Sequence, residues 1–262
     1  GLKGNLSLPS ISLEVSGRTI TVQTPVAFTL NGPDLTLERT RITGDGIDLS
    51  LGGTLGISEE AKLNFAVNGT ADLEAIARLN PDYIMGGKAT VDVRLTGPAS
   101  APQLGGDIRL DEVAFSTIDQ QFNLEHGNGR IVMAGEKITL ENFTTAANDG
   151  TLNAKGVLTL DRLQPKEWQL DVSTNDAIVN YQGAQITLNG DLTLRGDPQG
   201  QLLSGSITIP QAEYVSEFDL ERLASTGGGL SFGGGIGEGG SSLPRMVLDI
   251  QVEANDSLLI RN

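Results

Sequence analysis

Residues Leu95–Phe115 have the sequence LTGPASAPQLGGDIRLDEVAF, and residues Leu194–Tyr214 have the sequence LRGDPQGQLLSGSITIPQAEY. The two stretches align without a gap at an offset of 99 positions, and both alternate apolar with polar residues around a turn. A period of two places apolar side chains on one face of a β-strand and polar side chains on the other. The aligned pair therefore predicts a strand–turn–strand unit that occurs twice.

The same alternation runs through most of the chain. Apolar residues occupy every second position in KLNFAV (62–67), VDVRL (91–95) and MVLDIQVEA (246–254), with mainly polar residues between them. Such strands are typical of an antiparallel sheet with one face wetted by solvent. Shorter echoes recur at nearly the same distance, since LTLE (35–38) returns as ITLE (138–141) 103 positions later.

These patterns predict an all-β fold, with residues 1–262 forming one elongated domain. We predict a first pseudo-repeat over residues 30–115, a second over residues 133–214 and terminal strands over residues 245–262. A unit of about 100 residues is too long to be one coil of a short-period solenoid, so each repeat should contain several strands.

Two short helices and one loop interrupt the strand pattern. TADLEAIARLNP (70–81) places Leu73 and Ile76 on one side of a helix, and SEFDLERLAS (216–225) has a similar spacing after a serine N-cap. We expect both helices to plug or cover an end of the sheet. The Gly/Ser-rich stretch 225–244 has no periodicity and predicts a flexible loop.

Composition excludes several classes of function. The formal net charge is −15, which disfavours binding to nucleic acid or to anionic lipid surfaces, because both attract Lys and Arg. The chain has no cysteine, so it has no disulfide framework, and the periplasm is an allowed compartment. No stretch has the features of a signal peptide or a membrane-spanning helix. We interpret the chain as a fragment whose anchoring segment lies outside it.

No catalytic, cofactor or metal site is indicated. His126 is the single histidine, and its context FNLEHGNGRI (122–131) favours a solvated turn residue over a catalytic base. GGGIGEGG (233–240) contains a G-x-G-x-x-G spacing, but no helix follows it to bind a phosphate. TGDGIDLSLGG (43–53) resembles one calcium-binding nonapeptide, and such sites need several tandem copies. We therefore predict no enzymatic activity, no cofactor and no bound metal.

The remaining functional feature is the apolar face of the strands. It could be the core of an ordinary sandwich, but aromatic residues make up only 4% of the chain and rings normally dominate core burial. The alternative is an open groove that accommodates a ligand. We predict a hydrophobic groove lined by Leu35, Leu37, Leu49, Leu51, Leu63, Phe65, Val67, Val91, Val93, Leu95, Ile108, Leu110, Ile138, Leu140, Leu158, Leu160, Leu170, Val172, Leu192, Leu194, Ile207, Ile209, Leu248, Ile250 and Val252.

The pattern L-x-G-x-x-x-x-P-x-L-x-G-x-I-x-L from Leu95 to Leu110 resembles the C-terminal region of the TamB family, which belongs with the AsmA-like proteins. The stretches ITLENFTTAANDGTLNAKGVLTL (138–160), WQLDVSTNDAIVNY (168–181) and LPRMVLDIQVEANDSLLIRN (243–262) fit that region in order. The resemblance implies a long, curled β-sheet with an apolar trough, known as a β-taco. It also implies a periplasmic protein, anchored to the inner membrane through a segment outside these residues, that partners the outer-membrane barrel TamA.

Three functions stay open at this point. The first is a conduit in which the groove carries phospholipid acyl chains between the inner and outer membranes. The second is an assembly factor that, with TamA, aids insertion of outer-membrane β-barrels such as autotransporters by pairing a sheet edge with nascent strands. The third is a passive structural or adhesin β-stack whose apolar face is filled by its own side chains. We favour the first.

Overall fold

A computed structural model describes residues 3–8, 11–15, 18–22, 26–44, 46–57, 61–77, 83–117, 123–181, 184–214, 245–254 and 258–260. The predicted second helix (216–225) and the predicted loop (225–244) lie outside the described residues. So does the last part of the first helical pattern, from residue 78 onward.

The described residues form seventeen strands and one short helix, which confirms the all-β fold. The strands are β1 (Lys3–Leu8), β2 (Ile11–Val15), β3 (Arg18–Val22), β4 (Val26–Asn31), β5 (Asp34–Gly44), β6 (Ile47–Gly56), β7 (Lys62–Asp72), β8 (Tyr83–Pro98), β9 (Gln103–Thr117), β10 (Asn123–Gly135), β11 (Lys137–Ala147), β12 (Gly150–Asp161), β13 (Gln164–Tyr181), β14 (Ala184–Asp197), β15 (Gly200–Tyr214), β16 (Arg245–Ala254) and β17 (Leu258–Ile260). The helix α1 (Leu73–Ala77) follows β7 directly and lies within the first predicted helix (70–81), whose first residues belong to β7 instead.

The strands form one long, curled and open sheet. From β5 to β15, each strand pairs antiparallel with the next strand in the chain, so spatial order follows sequence order. At the N-terminal end β3 and β4 share one position beside β5, with β2 beside β3 and β1 beside β4. Strands β1 and β2 likewise share a position, and so do β16 and β17. The seventeen strands therefore occupy fourteen positions across the sheet.

The last two strands depart from the antiparallel pattern. Both β16 and β17 pair in parallel with β15, β16 along Gly200–Ile209 and β17 along Ala212–Tyr214. The alternation in the sequence predicts antiparallel strands throughout, and this prediction is wrong here. Parallel neighbours need a connection of about a dozen residues or more, and residues 215–244 separate the two strands along the chain.

β-Bulges recur at equivalent places in the two predicted pseudo-repeats. The register shifts between Leu37 and Thr40 in β5, and it shifts again between Leu140 and Phe143 in β11, 103 positions later. A bulge bends the strand that carries it and increases the local twist. The coincidence supports a duplicated group of strands, although the bounds of the two pseudo-repeats stay a prediction.

One cluster of buried apolar residues lies beside α1. Leu73, Ala89 and Val113 form this cluster, and partly buried Ile108, Leu110 and Phe143 pack against it. No large side chain among the described residues is completely buried. Most apolar side chains are half-buried instead, as expected for a sheet that leaves much of one apolar face uncovered.

Candidate hydrophobic groove

One face of the sheet carries a continuous row of apolar residues, one from each neighbouring strand between β6 and β16. Directly paired positions form this central row, which consists of Leu49, Gly69, Val91, Ile108, Ile131, Leu140, Gly156, Leu170, Leu194, Leu203 and Leu248. Residues directly opposite each other in neighbouring strands lie on the same face of a sheet. All members therefore share one face, and none of them is polar.

A further row lies on each side of the central row, two positions away along each strand or three at a bulge. The first flanking row consists of Leu51, Val67, Val93, Gly106, Met133, Ile138, Leu158, Trp168, Gly196, Gln201 and Met246. The second flanking row consists of Ile47, Ala71, Ala89, Leu110, Gly129, Phe143, Ala154, Val172, Leu192, Gly205 and Ile250. The three rows, here called the apolar face, contain no charged residue.

The apolar face is long enough for a lipid tail. Ten inter-strand spacings of about 4.8 Å make the central row about 48 Å long. The hydrocarbon core of a bilayer is about 30 Å thick, and one acyl chain spans about half of it. The face also continues to the N-terminal edge, where Leu6, Phe28, Leu30 and Leu35 help to line a mainly apolar hollow of about 430 Å³.

The central row is partly accessible along its length. From Leu49 in β6 to Leu203 in β15, every member is half-buried, and Leu248 in β16 is exposed. Opposing walls that met and filled the space between them would bury these side chains almost completely, because a core residue touches neighbours on all sides. The partial exposure therefore favours a face that is not filled by its own side chains.

Most of the predicted groove residues fall in the three rows. The others extend the same face toward its margins: Leu35, Leu37, Leu63, Phe65, Leu95 and Leu160 on one side, and Ile207, Ile209 and Val252 on the other. Leu160 is buried, whereas Leu248 and Val252 are exposed because β16 lies at the edge of the sheet. Ile108 and Leu110 pack against the cluster around α1. That these side chains contact a guest stays a prediction.

Several members of the apolar face could not be predicted from the sequence. Ile131 and Met133 lie on it, but Val132 between them pairs with Asp107 and Thr139 on the other face and hides the alternation. Phe143 lies on the apolar face because the bulge in β11 shifts it by one position. Leu203 is preceded by another leucine, so the sequence does not show which of the two lies inward.

The opposite face of the sheet is polar and carries ion pairs. Asp107 accepts a hydrogen bond from Arg130 Nε at 3.2 Å and has Arg109 Nε at 3.3 Å, and the hydrogen bond from Arg130 is the main cause that lowers the pKa of Asp107. In β13, a hydrogen bond from Thr193 lowers the pKa of Asp171. Exposed pairs of this kind add little stability, but they keep this face hydrated.

His126 lies in β10 at an irregular stretch of the pairing with β9, so the turn predicted there is wrong. Its Nδ1 atom is 2.7 Å from Glu112 Oε2, and both residues have positive φ angles, 56° and 51°. The hydrogen bond to Glu112 raises the pKa of His126, with further contributions from the charges of Glu112 and Glu125. Both side chains are well exposed, so the contact links β9 and β10 at the protein surface.

Among the described residues, no group of three or more Asp, Glu or His side chains is arranged to hold a metal ion. The helix that the structure describes is also too short to cross a membrane.

The C-terminal edge strand exposes apolar side chains on both of its faces. Within the described part of the chain, β16 pairs with β15 alone. Met246, Val247 and Leu248 have relative exposures of 50%, 54% and 65%. Unpaired N–H and C=O groups beside such side chains form a template on which a further strand can add.

Residues 141–260, which include most of β11 and all of β12–β17, match the family model described as the TamB C-terminal domain. This match supports a TamB-family assignment. No curated protein and no solved structure matches it significantly. The TamB assignment supports a role in outer-membrane biogenesis through transport of lipid or protein, and TamB proteins are transport and assembly modules. A TamB domain also implies an envelope-associated periplasmic protein whose family works with outer-membrane transport machinery.

Proposed function

We propose that this protein conducts phospholipid between the inner and outer membranes by holding acyl chains against the apolar face. The single observation that carries the proposal is the central row, which is uncharged and half-exposed across ten consecutive strands. A face that is aliphatic and still accessible to solvent is suited to bind a hydrocarbon chain.

The energetics favour retention of a lipid without trapping it. Each methylene removed from water contributes about 0.8 kcal/mol, so ten methylenes on the apolar face contribute about 8 kcal/mol. Hydrophobic contact is non-directional, and the central row has no polar group that would fix a guest in one register. An acyl chain can therefore slide from one strand to the next without breaking a specific bond.

The polar face completes the arrangement. Its ion pairs, such as Arg130 with Asp107, keep the outer surface hydrated while the inner surface carries the tail. The headgroup would stay in water at the open side of the curled sheet. We further propose that a segment outside these residues anchors the protein to the inner membrane, so that the sheet extends toward the outer membrane.

A matched pair of substitutions tests the proposal. Leu202 and Leu203 are neighbours in β15, but Leu203 pairs with Leu194 in the central row and Leu202 pairs with Arg195 on the polar face. Native mass spectrometry of the purified protein should show bound phospholipid in wild type and in Leu202→Asp, and little in Leu203→Asp. Equal lipid content in the two variants, with both folded by circular dichroism, would contradict the proposal.

A second candidate function rests on a different observation, the exposed apolar edge of β16. In this alternative the protein aids assembly of outer-membrane β-barrels, including autotransporters, together with TamA. A nascent strand would pair with β16 through backbone hydrogen bonds, while its alternate side chains contact the apolar face. Only the second function needs the backbone edge of β16, so the two can be separated by substitution at that edge.

A further inference from the structure

The helix α1 lies on the apolar face of the sheet. Leu73, its first residue, is only 7% exposed and packs with Ala89 and Val113. Ala89 is a member of the second flanking row, and Leu110, its partner in β9, packs against the same cluster. Leu73 therefore occupies part of the face that would otherwise be available to a guest.

Glycines in β10 leave room for the side chains that pack in this cluster. Phe143 in β11 crosses over β10, where Gly127 and Gly129 have no side chain to obstruct it. A Cβ atom on Gly127 would lie 2.8 Å from Phe143 Cζ and 2.9 Å from Val113 Cβ, so no larger residue fits there. Strands β9 and β11 thus bring side chains to the cluster that holds Leu73, on either side of β10.

The second half of the sheet has no equivalent of this contact among the described residues. Where β7 gives way to α1 in the first half, β13 continues as a strand through Tyr181, and β14 begins at Ala184. Ile108 packs against the cluster around Leu73. Ile207, which lies 99 positions later in the aligned stretch, pairs with Gly190 and Val252 on a face that no described helix covers.

We propose that α1 is a displaceable plug that closes the first half of the groove until an acyl chain takes the place of Leu73. This inference rests on the proposed function and names its regulation. A five-residue helix does not persist without tertiary contacts, and Leu73 is the one large side chain of α1 that the structure shows to be buried. Burial of one leucine is matched by about two to four methylenes of a guest. A lipid tail that advances from the second half, where no described helix covers the apolar face, can therefore compete with the plug.

Photo-crosslinking in the full-length protein in cells tests the plug. A photoreactive amino acid is placed at Ile108, beside α1, or at Ile207, its counterpart in the second half. Each position is combined with wild-type Leu73, with Leu73→Ala, or with Leu163→Ala, which makes the same change at an exposed leucine remote from α1. The readout is phospholipid crosslinked to the protein.

In wild type, lipid should crosslink strongly at Ile207 and weakly at Ile108. Leu73→Ala should raise crosslinking at Ile108 about tenfold, since removal of a buried leucine side chain weakens the closed state by about that factor. Leu163→Ala should leave both positions unchanged, and an unchanged signal at Ile207 shows that Leu73→Ala still folds. Equal crosslinking at the two positions in wild type, or no rise at Ile108 in Leu73→Ala, would overturn the plug alone. Absence of lipid at both positions in all variants would overturn the proposed function and the plug with it.

Discussion

Gly106 in β9 and Gly205 in β15 have the same neighbour in the two halves of the sheet: a Cβ atom on either glycine would overlap the carbonyl oxygen of an aspartate in the preceding strand. The aspartates are Asp92 and Asp191, and each pair of equivalent residues is separated by 99 positions. The φ angles of the two glycines are 107° and 137°, values that L-residues with a side chain rarely adopt. Both glycines lie in the rows of the apolar face, where a kink lets the sheet curl around the groove.

Substitution at one of these kinks should therefore destabilise the fold. Gly106→Ala is expected to lower the free energy of unfolding by about 1–3 kcal/mol, because the alanine must hold a strained φ against the neighbouring strand. The adjacent Gly105 has no atom near its Cβ position and no positive φ. Gly105→Ala should change stability by less than about 1 kcal/mol. Urea denaturation of both variants measures the difference, and equal midpoints would show that Gly106 is not a required kink.

Much of the fold could be predicted from the sequence because its pattern of residues repeats. Apolar residues at every second position assign a face to each strand, and the repeated stretches around Ile108 and Ile207 indicate a duplicated group of strands. The register that places Val91, Ile108 and Ile131 side by side could not be predicted, because it depends on bulges in individual strands. A bulge shifts every later side chain of its strand to the other face.

The pH dependence of the His126–Glu112 contact provides a second prediction. Pairing raises the pKa of folded His126 above that of the unfolded chain. The contact therefore stabilises the fold fully at pH values below the unfolded pKa, and this contribution is lost as the pH rises through the folded pKa. As His126 is the only histidine, its ring protons can be followed by NMR without assignment. Glu112→Gln should lower the measured pKa, whereas Glu136→Gln, at an exposed glutamate elsewhere, should leave it unchanged.

A hydrophobic dye separates the groove from a passive β-stack. The half-exposed central row should bind a fluorescent anilinonaphthalene dye in the native protein, and added phospholipid should displace the dye. A stack filled by its own side chains would bind dye only after thermal unfolding. Fluorescence recorded through a melt distinguishes the two, since a groove loses signal at the transition and a filled stack gains it.

The edge strand offers a test of the assembly function that does not disturb the groove. Val247→Lys places a charge on an exposed edge residue of β16 that pairs with Leu202 on the polar face, and charged residues on an edge block strand addition. Crosslinkers at Asp249 should capture outer-membrane β-barrel protein in wild type and not in Val247→Lys. Gln251→Lys adds the same charge at an exposed polar position near the other end of the strand, so its effect should be smaller. Loss of lipid from Val247→Lys, instead of loss of captured protein, would assign the edge to lipid transport.

Some features of the candidate site could not be predicted from the sequence. All leucines of the central row except Leu203 could be chosen from alternation, but the cover over Ile108 could not, because it depends on where Leu73 packs after β7 ends. The parallel pairing of β16 was equally inaccessible, since the pattern of MVLDIQVEA is the same in either direction of pairing. Periodicity specifies which face a residue occupies, whereas its neighbours on that face are set by long-range packing.

The most direct test of the account is a photo-crosslinking scan of consecutive residues in three strands. Leu140, Leu170 and Leu194 belong to the central row, and the adjacent Thr139, Gln169 and Arg195 lie on the polar face. An acyl chain that lies along the apolar face should give phospholipid crosslinks at the three leucines and none at their neighbours in every strand. Crosslinks of equal strength on both faces, or no lipid at any of the three leucines, would contradict an acyl chain lying along the apolar face.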